Sequence, residues 1–394
     1  MLIHDINTFE SLNLDKFSIL RKTPFHDDAL DFLNSLSRSI LQNKKAKIYP
    51  DLVTFGFFCR KANLIKNRNR YENEIFSRLG YGLCVHISPS NIPINFAFSF
   101  LFGLLSGNSN IIRLPSKSFE QNTILLKIMN DILIEKKFKN ILDSTIFFNS
   151  TRDSKKLDEL CEIADSIVVW GGDDTVNYFK NKQKKINCTE LYFPNRVSSL
   201  VINSNMFIEE KNKKDILSKF YNDTYLVDQN ACSSPSNIFW LGDEKTNYLA
   251  KKLFWNELSE ILKLKSRTIE TISIFDKYIN VMKAIESRNS EINLVMHNSL
   301  MWEASHTPES SKYFNLGLFS STSIDEVSEI IPFMRDNEQT LTYYEVDPLE
   351  INDIFKNHQL PIDRIVPLGD ALDIGLIWDG KDIIRLLSKY TQVS

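Results

Sequence analysis

Between Tyr81 and about Asp174 the chain alternates short, almost wholly apolar runs with longer amphipathic ones, and this alternation leaves few folds open. The first run, LCVHIS at 83–88, is apolar at successive positions, as a strand must be when both of its faces are covered by helices. The loop SPSN follows, and Pro93 opens an apolar helix that stops near Gly107. A second strand is predicted over 110–114. Ser118 and Gln121 then form a capping box before a helix whose apolar face is Ile124, Leu125, Ile128 and Ile132. TIFF at 145–148, a helix over 157–164, SIVVWG at 166–171 and a helix from Asp173 continue the pattern. Strand and helix in turn at this spacing predict a doubly wound α/β fold with a parallel sheet.

Flanking segments extend this frame. Residues 1–75 read as a helical lead-in packed on the first α/β domain, with Phe32, Leu33, Leu36 and Ile40 at helical spacing. That domain spans 76–197. A second α/β domain over 198–360 is predicted from strands at SSLVI and NIFWLG, a long helix over 247–264 and strands near Leu294, Leu316 and Thr340. Residues 361–394 supply a last strand and a helix near Asp379, returning towards the first domain. A chain of 394 residues, 43% hydrophobic, can fill two such cores.

Charge and composition exclude several function classes. Lys and Arg number 47 against 50 Asp and Glu, so no net field gathers nucleic acid or an anionic membrane. The longest apolar stretch, 96–105, is far shorter than the ~20 residues that cross a bilayer. The opening MLIHDINTFE has no secretory pattern. Cys59, Cys84, Cys161, Cys188 and Cys232 form no CxxC pair and are odd in number, which reads as reduced thiols in a cytoplasmic protein. The six histidines show no metal-ligand spacing, so no metal is expected, and His86, inside the first strand, reads as a hydrogen-bonded core residue. No GxSxG elbow or Walker loop is present.

Four segments could carry chemistry. Ser88-Pro89-Ser90-Asn91 leaves the first strand at its carboxyl end, where open α/β sheets bind ligands, although without GxGxxG glycines the local sequence of Asn91 reads more readily as a helix cap. Arg113, Ser116 and Lys117 leave the second strand on the same edge, as phosphate ligands or as solvated charges. Trp170-Gly171-Gly172 ends the fourth strand, where glycines allow a pyrophosphate to approach the backbone or simply make a tight turn. Cys232, within QNACSSP, is a thiol among small polar residues: a nucleophile if its thiolate is favoured, an inert cysteine otherwise.

Taken in order, GLCVHISPSNIP, GNSNIIRLPS, ADSIVVWGGDD, QNACSSP and DRIVPLGDALDIGLIWDG resemble the aldehyde dehydrogenase superfamily, and within it the LuxC-type acyl-CoA reductases. The resemblance covers most of the chain from about residue 80. It implies an aldehyde dehydrogenase-like fold of two doubly wound α/β domains with the active site in the cleft between them, 76–197 binding a nicotinamide cofactor and 198–360 carrying the nucleophile. Cys232 matches the nucleophile and Asn91 the oxyanion asparagine. Ser88, Ser90, Arg113, Ser116, Lys117, Trp170, Gly171 and Gly172 fall in the cofactor-binding segments. A cation at Lys117, where NAD-preferring relatives carry a ribose-binding Glu, implies NADPH, with NADH the alternative. The implied reaction reduces an acyl thioester to the aldehyde through an acyl-enzyme on Cys232. The resemblance also implies a homo-oligomer and a partner that supplies the acyl group, either an acyl-activating synthetase or an acyl carrier.

The departures bear on direction. Where oxidising relatives carry Glu-Leu-Gly-Gly, whose Glu activates the deacylating water, this chain has Glu190-Leu191-Tyr192-Phe193-Pro194-Asn195-Arg196. With Arg196 at the family Lys, Tyr192 takes the place of that Glu, which favours reduction over hydrolysis. Two other readings stand beside this one: an aldehyde dehydrogenase working oxidatively with Glu190 as base, and a non-catalytic scaffold subunit of the same fold. No EIFGP-like segment for the nicotinamide ribose is evident.

Overall fold

A buried parallel strand has to hide both rows of side chains, and the strands of this protein divide theirs cleanly between two cores. The computed structural model describes residues 17–90, 92–286, 292–305 and 314–392. They divide into two compact units, with the boundaries between Pro194 and Asn195 and between Asp373 and Ile374: the chain enters the second unit at the first boundary and returns to the first unit at the second.

In the first unit a short strand β1 (Arg78–Gly80) precedes a five-stranded sheet of β2 (Leu83–Ile87), β3 (Ser109–Arg113), β4 (Thr145–Phe148), β5 (Ser166–Trp170) and β6 (Thr189–Phe193). All are parallel, in the order β4-β3-β2-β5-β6. Leu83, Val85, Ile87, Ile111, Ile167 and Val169 point to one face, where they pack with Leu157, Leu160, Val176 and Phe179 of helices Lys155–Ile163 and Asp173–Lys180. Cys84, Ile112, Phe147, Val168 and Trp170 point to the other. There the helix Asn95–Leu105 is buried at every position, because the sheet lies on one side and the lead-in helices on the other. Phe32 of helix Asp27–Gln42 meets Phe100 edge to face, and Phe55 of helix Pro50–Phe58 meets Phe98 with ring centroids 4.8 Å apart. The lead-in is thus part of this core.

Polar groups inside this core are paired in a directed chain. Trp170 Nε1–H donates to Ser99 Oγ (2.9 Å), Ser99 lies 2.7 Å from His86 Nδ1, and His86 Nε2 lies 3.0 Å from Asn110 Oδ1. Asn110 Nδ2 donates in turn to Asn108 O. With Nε2 facing a carbonyl oxygen, the ring is neutral with its proton on Nε2, and burial holds its pKa down to about 4. His86 is accordingly the core residue its sequence context predicts.

The second unit carries a seven-stranded sheet: β7 (Val197–Asn203), β8 (Asn237–Leu241), β9 (Leu294–Met296), β10 (Trp302–Ser305), β11 (Leu318–Ile324), β12 (Glu338–Tyr344) and β13 (Arg364–Pro367), in the order β13-β12-β7-β8-β11-β10-β9. Only β9 runs antiparallel to its neighbour. Leu200, Ile202, Ile238 and Trp240 face helices Lys213–Thr224 and Glu244–Leu264, while Val201, Phe239 and Leu341 face helix Pro348–Asn357. The chain then returns to the first unit, where β14 (Ile377–Trp378) and β15 (Lys381–Asp382) form a small hairpin and β16 (Ser388–Tyr390) pairs antiparallel with β1.

Several sequence expectations shift. No capping box forms at Ser118 and Gln121: the helix starts at Glu120 behind Phe119, with no side-chain cap. The helix after SPSN starts at Asn95 rather than at Pro93. β6 lies in the segment read only for its Glu-Leu-Gly-Gly likeness, and a helix, Thr271–Glu286, occupies a stretch with no assignment. The returning segment begins at Ile374 rather than at 361, because β13 pairs in parallel with β12. Its final helix is one turn, Ile383–Leu386, because Asp379, in a left-handed conformation, belongs to the turn of the β14–β15 hairpin and β16 already begins at Ser388.

Gly103 tests the buried chain. A methyl group on it would sit 2.0 Å from Asn110 Oδ1 and 2.8 Å from His86 Nε2, so Gly103→Ala should cost roughly 3 kcal/mol through overpacking and broken hydrogen bonds. Gly375→Ala, whose methyl would meet nothing nearer than 3.8 Å, should shift the urea midpoint little.

Candidate active site

Parallel strands place all their carboxyl ends along one edge, so the candidate cofactor residues of the first unit share a border. The strand order reverses direction at β2 and β5, the position where such sheets open a ligand crevice. Ser88 follows β2; its N–H donates to Arg113 O (3.3 Å), and its hydroxyl is buried with no hydrogen-bond partner among the described residues. Ser90 and Ser116 join the loops after β2 and β3 through their hydroxyls, 3.0 Å apart. The Arg113 side chain is nearly buried, donating from Nε to Ser150 O (3.0 Å); burial first, and the charge of Arg152 second, lower its pKa. Lys117 is exposed, its ammonium 5.4 Å from the Phe119 ring centre.

At the end of β5 the picture is mixed. Gly171 and Gly172 lead into helix Asp173–Lys180, with Gly172 at its cap, and Gly171 packs closely on Thr175. Asp173 and Asp174 occupy the first turn of that helix, so two carboxylates already face its positive end and oppose a phosphate there. The Trp170 indole is turned inward, stacked on Phe193 at 3.8 Å and bonded to Ser99, which leaves only its backbone for a ligand. Asn91 lies outside the described residues. A buried Ser88 hydroxyl with no partner among the described residues, and an arginine whose neighbouring charge is a second arginine, fit the adenosine end of a phosphorylated cofactor.

In the second unit Cys232 sits in the loop between the turn Tyr225–Val227 and β8, and it is exposed. The other four cysteines are held as thiols: burial pushes Cys59 well up, Cys84 to about 12, and Cys161 and Cys188 to about 11. Because β7, β8, β11 and β12 are parallel, the Cys232 loop shares the amino edge of the sheet with Ser198, Gly317 and Glu338. Ser198 Oγ–H donates to Cys232 O at 2.7 Å, and the Thr340 N–H donates to Ser198 Oγ at 3.1 Å.

Two further groups of this edge escaped sequence reasoning. Glu338, at the start of β12, is buried; burial pushes its carboxyl up to about 8 against the Ser199 hydroxyl and the Arg196 and Arg335 guanidiniums. Arg196 is ion-paired with Asp363 and also donates to Glu338 O. Gln229 is buried behind Cys232, donating from Nε2 to Pro235 O and accepting the Gly317 N–H. Nothing in DNEQT marks Glu338 as inward-facing, nor in QNACSSP Gln229 as buried; strand pairing places the first, and the bonds to Pro235 and Gly317 place the second. Glu190, the base of the oxidative reading, is engaged within the first unit by Lys184 at 3.1 Å and by the Tyr192 hydroxyl.

Similarity to known proteins defines the class. A family model described as Acyl-CoA reductase (LuxC) matches residues 21–306, more than half of the chain. The chain belongs to this family. Among curated proteins it is similar to long-chain acyl-protein thioester reductases of Vibrio harveyi, 23% identical over 67% of this chain and 54% of that one, and of Photorhabdus luminescens, 25% identical over 67% and 53%. The chain thus spans about half the length of the curated relatives it matches. Among solved structures it resembles a glyceraldehyde-3-phosphate dehydrogenase of Methanocaldococcus jannaschii complexed with NADP (TM-score 0.63, 13% identity, 92% of this chain and 88% of that one). An NAD-dependent aldehyde dehydrogenase of Sinorhizobium meliloti matches with TM-score 0.63 and 12% identity, over 94% and 82%. The fold is therefore that of the aldehyde dehydrogenases.

Glu338 gives this edge a pH signature. Its folded pKa lies above the unfolded carboxylate value, so the folded state binds the extra proton between about 4.5 and about 8. Its stabilisation is present below that window and is lost as pH rises through it. Urea titrations at pH 5.5 and 8.5 should show a larger pH-dependent loss for the wild type than for Glu338→Gln, which carries no titrating proton.

Proposed function

We propose that this chain is an NADPH-dependent reductase that takes an acyl group from an activated thioester onto Cys232 and releases it as the aldehyde. The observation that carries this reading is an exposed Cys232 on a braced loop in a member of the LuxC family, while the other four thiols lie in burial-dominated surroundings. In the proposed sequence Cys232 thiolate forms a carbon–sulfur bond to the acyl carbonyl. The Cys232 N–H and the Asn91 amide are assigned as donors to the resulting oxyanion, whose collapse expels the carrier thiolate. Ser88, Ser90, Arg113, Ser116, Lys117 and the backbone of Gly171 and Gly172 would hold the cofactor, with Arg113 and Lys117 favouring a 2′-phosphate. Bound there, NADPH would supply the hydride for the thioester carbonyl. Cys232 then departs as thiolate and the aldehyde leaves. The engagement of Glu190 by Lys184 supports reduction over hydrolysis. The acyl donor, whether a coenzyme thioester, an acyl carrier or a synthetase-bound acyl group, and assembly into a homo-oligomer belong to the same proposal. So does a cytoplasmic location; no helix among the described residues is long and apolar enough to cross a membrane.

Intact-protein mass spectrometry after exposure to a panel of acyl thioesters tests the central step. Wild type should gain the mass of one acyl group and Cys232→Ala none, with NADPH affinity unchanged. Aldehyde formed by Cys232→Ala at the wild-type rate would end this mechanism. For the cofactor, Lys117→Glu should weaken NADPH about tenfold while leaving NADH within a factor of two, measured by fluorescence titration.

A further inference from the structure

The backbone behind Cys232 is held in a conformation that ordinary residues avoid. Asp228 and Gln229 lie in succession in the left-handed region, with φ of 52° and 55°, at a cost of about 1–3 kcal/mol each. Such a pair persists only where its surroundings determine it, and here they do. The Asp228 carboxylate is ion-paired with Arg267, and its carbonyl accepts the Leu316 N–H at 3.2 Å. The Gln229 side chain is buried with both ends of its amide used: Nε2 donates to Pro235 O (3.0 Å) and Leu318 O (3.4 Å), and Oε1 accepts the Gly317 N–H (2.6 Å). The bond to Pro235 ties the two ends of the loop together around Cys232. Those to Leu318 and Gly317 anchor it to the start of β11. Gly317 lies close against the Leu300 backbone, so that a Cβ there would fall 1.8 Å from Leu300 O, and at φ 83° only glycine fits the position.

Ser198 supplies a second hold, directly on the nucleophile's own residue. Its carbonyl accepts the Ser236 N–H at 2.9 Å, and its hydroxyl donates to Cys232 O at 2.7 Å while accepting the Thr340 N–H at 3.1 Å. Because the Thr340 N–H can only donate, the Ser198 hydroxyl proton is committed to Cys232 O. The peptide plane after Cys232 is thereby fixed relative to β7 and β12.

We infer that Ser198 and Gln229 are positioning residues for Cys232, a two-point brace that sets its backbone for acyl transfer; this rests on the assignment of Cys232 as the acyl-accepting thiol. Neither residue is asked to touch substrate. A misplacement of about 1 Å at a reacting centre can cost ~100-fold in rate, so the brace acts on turnover rather than on binding.

The test uses Ser198→Ala, Gln229→Met and Ser198→Thr in the full chain, comparing the rate of Cys232 acylation at saturating thioester, the KM for the thioester, the NADPH Kd, melting temperature, and hydrogen exchange of the peptide spanning 226–236. Ser198→Ala and Gln229→Met should acylate about 10- to 100-fold more slowly, with KM and Kd within about twofold and exchange in that peptide at least about tenfold faster. Ser198→Thr, which keeps the hydroxyl, should recover acylation to within about threefold of wild type. The proposal is overturned if both removal variants acylate at the wild-type rate, whether or not exchange quickens, or if their deficit vanishes once scaled to the folded fraction. A wild-type protein that accepts no acyl group on Cys232 defeats the functional reading and this one with it; acylation that is equal in wild type and variants defeats this one alone.

Discussion

Parallel pairing is the constraint from which the rest follows. A parallel strand cannot be joined to its neighbour by a tight hairpin, so each connection must cross the sheet and cover a face. In both large sheets the result is the same: alternate side chains enter opposite cores, and the loops gather along two edges. Along one edge of the first sheet lie Ser88, Ser90, Arg113, Ser116 and Gly171, and along the amino edge of the second lie Ser198, Cys232, Gly317 and Glu338. Candidate site residues on loops far apart in sequence share an edge because strand direction brings them together.

The two edges are supported differently. Beneath the first, the chain from Trp170 through Ser99 and His86 to Asn110 satisfies each polar group it buries, so the interior stays rigid without charge. The second edge holds strain and ionisable groups: paired left-handed residues at Asp228 and Gln229, a carboxyl at Glu338 kept largely protonated by burial, and the Arg196–Asp363 pair. Strain and a shifted protonation thus share the amino edge of the second sheet with the exposed Cys232 thiol.

Much of the architecture could be read along the chain. Buried parallel strands are short and apolar on both sides, so β2, β4 and β5 announce themselves, and the helices between them carry clear apolar stripes. The segments that went unread have weaker local signals. β6 carries Glu190 and Tyr192 on an edge strand, where one side remains accessible, and the one-turn helix at Ile383 is too short for periodicity to register. Ser118 and Gln121 have the residue types of a capping box, yet the helix starts at Glu120 with Phe119 at its cap and no side-chain cap bond.

By itself the sequence determined the α/β class, the order of the segments and which cysteine has polar neighbours, because these depend on local pattern and on motif order. Only the tertiary structure decided that Trp170 faces the core, that Glu190 is engaged by Lys184, and that Ser198, Gln229 and Glu338 stand behind Cys232. The physical reason is that a polar side chain's role depends on whether water or protein satisfies its hydrogen bonds. That is settled by strands more than a hundred residues apart pairing in register, as β7 does with β12.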